Sequence, residues 1–88
     1  MKTDEISDLY ADKSVGLVLR LLDDEIHSPS TVLIEGSPEA LTMLAKLLVA
    51  VASEPENDGY GISPFGAGKV HFGKAAQIGV YIHRIDGA

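Results

Sequence analysis

The stretch that most constrains this chain runs from Glu35 through Gly36, Ser37, Pro38 and Glu39 into the apolar residues that end at Ser53. A Ser hydroxyl before the first helical residue can accept a hydrogen bond from a free N–H of the first turn, and Pro at the next position has no N–H to leave unpaired. Glu39 adds negative charge at the positive end of the helix dipole. The pattern predicts one helix over 38–53, about 24 Å long, entered directly from a strand. With Leu41 as origin, Leu41, Leu44, Ala45, Leu48 and Ala52 fall on one stripe, expected to face a sheet, while Met43, Leu47 and Ala50 lie roughly opposite. A helix apolar over most of its circumference needs cover on both sides. Two covers suggest themselves for Met43, Leu47 and Ala50: the segment bearing Ile6, Leu9 and Tyr10, or a second copy of the protein.

Strands are expected on either side of this helix. Thr31–Glu35 is rich in β-branched residues. Residues 15–22 fit two templates: alternation places Val15, Leu17, Leu19 and Leu21 on one face, and a helical stripe through Val15, Val18, Leu19, Leu22 and Ile26 also exists. Gly16 weakens a helix, which favours strand. Asp23, Asp24 and Glu25, then Ser28-Pro29-Ser30, form the connection between the two strands. After Pro55 and Gly59 stop the helix and turn the chain, Tyr60–Ser63 reads as a short strand. Residues 63–73, with Pro64, Gly66, Gly68 and Gly73, read as a mobile loop or irregular hairpin in which Val70-His71-Phe72 can be extended. Gln77–Ile85 reads as the closing strand, with Ile78, Val80 and Ile82 on one side and Gln77, Tyr81 and His83 on the other. The expected architecture is α+β, a ββαββ antiparallel sheet of about four strands with one long helix on one face. Residues 1–13 form an N-terminal segment, either a short helix or a frayed end, and 14–88 a single domain.

Totals narrow the function classes. With 88 residues and no Cys, neither a disulfide framework nor a cysteine zinc site is available, and a reducing cytoplasm is the expected compartment. The polar opening Met1-Lys2-Thr3-Asp4-Glu5 is not a secretory leader, and the apolar run Leu47–Ala52 is far short of the roughly 20 residues a bilayer requires. Net charge is −6, and residues 1–59 hold 12 of the 13 acids. Such a surface repels phosphate backbones and favours a basic protein partner, so nucleic acid and membrane are not expected as partners.

No catalytic constellation emerges. Gly66-Ala67-Gly68-Lys69 fails as a phosphate loop because Ser63 stands where Gly is needed and Val70 where Ser or Thr is needed. It fails as a dinucleotide fingerprint because His71 stands at the third glycine position. Ser37 is accounted for as a cap, and Ser63 lacks the flanking glycines of a nucleophile elbow. Pairs such as Asp23/Asp24 and Glu54/Glu56 fall in expected loops. His71 and His83, with Asp86 near, would make a metal or acid–base pair only if neighbouring strands bring them together. Neither catalytic residues, a metal nor a cofactor is therefore expected. Tyr81, His83 and Gln77 would instead form a polar, aromatic-containing strip suited to a protein contact.

The run Leu33-Ile34-Glu35-Gly36-Ser37-Pro38-Glu39-Ala40-Leu41, then Leu44-Ala45-Lys46-Leu47-Leu48, a short strand after Asp58, and the closing Val80-Tyr81-Ile82-His83-Arg84-Ile85-Asp86 together resemble the immunity protein 32 family of bacterial polymorphic-toxin systems. The resemblance covers roughly residues 31–86 and implies a non-enzymatic cytoplasmic protein that binds and neutralises a toxin domain. The contact candidates it implies are Glu35, Asp58, Tyr60, Tyr81 and His83. Two other readings stand beside it: a homodimeric structural or accessory protein associating through Met43, Leu47 and Ala50, and a small-ligand or metal binder using His71 and His83.

Overall fold

A computed structural model describes residues 1–24, 26–27 and 29–86. Glu25 and Ser28 of the expected connection, and residues 87–88 of the expected domain, lie outside the described residues. The molecule is mixed α+β, with two helices and two small antiparallel sheets of two strands each.

The first helix, α1, spans Thr3–Tyr10. Ile6 and Tyr10, one turn apart, are buried, and Asp4 and Glu5 occupy the first turn where the dipole favours acids. Two strands follow, β1 (Val18–Leu21) and β2 (Val32–Glu35), paired antiparallel with Leu19 opposite Ile34 and Leu21 opposite Val32. Residues 15–22 thus resolve in favour of the strand, because Val15, Leu17 and Leu19 alternate into the core. Val18 is buried as well, so this is a strand covered on both faces over its first half. Antiparallel partners share a face. Ile34 therefore lies beside core Leu19, yet it stays half-exposed at the outer strand.

The second helix, α2, runs Pro38–Ser53. Ser37 caps it as expected, its Oγ accepting from Ala40 N at 3.1 Å, and the same hydroxyl donates to the Val15 carbonyl at 2.9 Å. One side chain thus sets both the start of α2 and its position against the entry to β1. The buried side of α2 differs from expectation. Met43 and Leu47 are fully buried and Ala50 nearly so, together with Ala40, Leu44 and Val51, whereas Leu41 and Leu48 are 45% and 47% exposed. The expected self-association residues Met43, Leu47 and Ala50 are therefore core, covered inside the same chain. The cause is a rotation of the helix about its axis: α1 lies along α2, and its Ile6 and Tyr10 join Met43, Leu47 and Ala50 in one cluster.

Asn57 ties these helices together. It lies at the end of a single 3-10 turn, Pro55–Asn57, and is buried. Its Oδ1 accepts from Thr3 N (3.3 Å), and its Nδ2 donates to the carbonyls of Met1 and Ala50 (3.0 Å each). One amide thus satisfies free backbone groups at the start of α1 and adds a second donor to the Ala50 carbonyl, which also accepts from Glu54 N.

Strands β3 (Tyr60–Ile62) and β4 (Val80–Ile82) form the second antiparallel pair, with Tyr60 opposite Ile82 and Gly61 opposite Tyr81. The expected single sheet is thereby split in two, for a reason visible in backbone pairing. The free edge of β1 is taken by irregular chain: Leu17 N donates to His71 O, Gly73 N to Leu17 O, and Gln77 N and Ile78 N both to Leu19 O. Only an isolated parallel bridge, Leu17 to Phe72, results. The closing strand is correspondingly short, and Gln77 belongs to this irregular segment rather than to β4. Residues 63–73, expected as a mobile loop or irregular hairpin, are tied into successive turns by Ser63 N to Ala67 O, Gly66 N to Ser63 O and Lys69 N to Gly66 O, and Val70 and His71, expected as extended, lie in a 3-10 turn at Lys69–His71.

Candidate partner-binding face

The outer face of the β3–β4 pair collects the exposed polar and aromatic side chains. Alternation in β4 turns Ile82 inward and leaves Tyr81 70% exposed. Tyr81 lies over a bed made by two glycines. A Cβ at Gly61 would sit 3.0 Å from its ring, and one at Gly59 would sit 3.0 Å from its hydroxyl; Gly59 also has φ +80°, which side chains with a Cβ rarely adopt. An aromatic ring held flat along a strand, with its other face open, is a low-entropy contact surface.

Beside it, His83 Nδ1 lies 3.1 Å from both carboxylate oxygens of Asp58, and Asp58 Oδ1 accepts from the Arg84 backbone N–H at 2.6 Å. The Arg84 N–H, and then His83, hold the Asp58 carboxyl below the usual carboxylate range. Arg84 continues the chain of charges, its Nε donating to Asp86 at 2.7 Å. Asp58 and His83 thus give the displayed tyrosine a polar flank, while the Arg84 side chain is partly buried and its Nη1 has no partner among the described residues.

Of the five expected contact residues, Asp58, Tyr81 and His83 meet on this face. Tyr60 is half-buried and packs against the core, since its pairing with Ile82 turns it to the inner side. Glu35 closes β2 in the other sheet, opposite Val18. Arg84 was not singled out by the sequence; its adjacency to His83 and its i, i+2 relation to Asp86 were the available signals.

His71 and His83 are held by different partners. His71 is 1% exposed, its Nε2 2.9 Å from Ser7 Oγ, and its Nδ1 has no partner among the described residues. Burial disfavours the charged ring and pushes its pKa below the ordinary 6.5. His71 and His83 thus do not pair: His71 is a core residue and His83 a surface one. Among the described residues, no group of three or more His, Cys, Asp or Glu converges as a metal site, and no helix is long and apolar enough to cross a membrane.

In comparisons with family models, curated proteins and solved structures, nothing matches this chain.

Proposed function

We propose that the protein is a non-enzymatic binding module of the immunity type, which neutralises a toxin domain by seating it on the face built from Tyr81, His83 and Asp58. The observation that carries this reading is Tyr81, exposed yet laid along Gly59 and Gly61, with the Asp58–His83 pair at its side. Aromatic residues presented in this way are the usual anchors of interfaces. The net charge of −6 supports a basic partner, through faster encounter more than through added affinity. On this reading the protein acts in the cytoplasm, and the strand order ββαββ around one long helix is the frame that presents the face.

The test is a binding titration against a candidate toxin domain taken from a gene neighbouring its own. Tyr81→Ala is expected to weaken binding by roughly 30-fold or more, as hot-spot truncations do, and Tyr81→Ala with His83→Ala to weaken it further. Unchanged affinity in the double variant would remove this face from the interface. Absence of any binding by the wild-type chain would remove the immunity reading.

A further inference from the structure

We propose that α2 pairs with α2 of a second copy, antiparallel about a two-fold axis, through the seam Leu41, Ala45, Leu48 and Ala52. All four residues are exposed, and they recur with the 4-3-4 spacing of a coiled-coil seam, distinct from the side that carries Met43, Leu47 and Ala50 into the core. This inference does not rest on the toxin reading.

The occupant follows from the sizes and order of the residues. In an antiparallel pair centred between Lys46 and Leu47, Leu41 of each copy meets Ala52 of the other, and Leu48 meets Ala45. Every large residue faces a small one, which is the self-complementarity that a two-fold interface requires. At the flanks, Thr42 meets Val49 on one side, while Leu44 and Val51 on the other are buried in the core of their own chain, so no charge is brought into the seam despite a net −6 on each copy. Glu39, Lys46 and Ser53 lie together on a separate strip.

A cavity supplies a second observation. Ala45 and Val49, which is 63% exposed, line a mostly apolar groove of about 380 Å³ together with Met1 and Ile6, with Lys46 and Glu54 also in its lining. Leu48 of the second copy, arriving over Ala45, has this groove beside it to fill. The seam is four residues over about three helical turns, small beside the roughly 800 Å² per partner of a standard interface. A dimer of micromolar affinity is therefore expected, not an obligate one.

The test is sedimentation equilibrium of the full chain from about 1 μM to 1 mM, across a swap series, with helix content checked by circular dichroism. Wild type is expected to shift from monomer to dimer within this range, more strongly as salt screens the like net charges. Ala45→Leu, which places Leu against Leu, and Leu48→Ala, which leaves a void, are each expected to weaken association at least tenfold. Combining them restores a large residue opposite a small one and is expected to recover affinity to within a few-fold of wild type. Leu48→Glu, at an exposed position, provides a folded monomer if Ala45→Leu alters the fold. A monomer at every concentration overturns the proposal, as does a dimer indifferent to Leu48→Glu or an Ala45→Leu variant that associates as well as wild type.

Discussion

Asn57 hydrogen-bonds to three backbone groups, Thr3 N, Met1 O and Ala50 O, and its removal strands the two at the start of α1, whereas the Ala50 carbonyl keeps its bond from Glu54 N. Leaving buried polar groups unpaired costs about 1–3 kcal/mol each before relaxation and water entry. Asn57→Ala is expected to lower unfolding free energy by roughly 2–4 kcal/mol in urea titration, and to loosen α1 more than α2 by hydrogen exchange. His71 makes a different kind of prediction. Its folded pKa lies below the 6.5 of the unfolded chain, so as pH falls through 6.5 the unfolded state takes up the proton first and stability is lost. Above 6.5 this contribution is complete. Urea midpoints should therefore decline between pH 7 and 5, and His71→Leu should flatten that decline whatever its effect on absolute stability. Asp24 and Asp58 act lower on the scale: both have carboxyls held below the ordinary 3.8, so their contribution is present above that value and lost as pH falls through their folded pKa values.

Helix α2 has two apolar stripes, and its bounds and its orientation come from different physics. The bounds are local. Ser37 and Pro38 start it, Pro55 prevents its continuation, and residues 38–53 are helical as their sequence predicts. Orientation is not local, because Leu41/Leu48 and Met43/Leu47 are equally suitable to bury. The leucine stripe is the one expected to face a sheet, but nothing local excludes the other, and α1 with the Ser37 contact to Val15 places that other stripe inside. Met43→Ala should cost about 2–5 kcal/mol of stability, as buried Met truncations do. Leu48→Ala, measured at a concentration where the chain is monomeric, should change stability by less than about 1 kcal/mol. Equal losses would mean that α2 is turned differently in solution. Strand β4 shows the same division: alternation correctly separates Tyr81 and His83 from Ile82, whereas the length of the strand is set by neighbours.

Across the molecule, two apolar surfaces compete for attention, the seam of α2 and the glycine-bedded Tyr81, and they respond oppositely to salt. Toxin binding on an acidic protein should weaken as ionic strength rises, while self-association should strengthen. Measuring both in the same buffers separates them. Much of this molecule follows from short-range rules: the capped helix 38–53, the strands at 18–21 and 32–35, and the outward Tyr81 and His83 all rest on capping, β-propensity and alternation within a few residues. Three features depend on contacts between distant parts of the chain. His71 became a core residue because its backbone carbonyl pairs with Leu17 and its ring reaches Ser7, 64 residues away. The four strands form two pairs because the segment 71–78 occupies the free edge of β1, where a regular strand would have to pair. The leucine stripe of α2 was left outside because a helix with two apolar faces can bury only the one its neighbours cover, and no local rule ranks them.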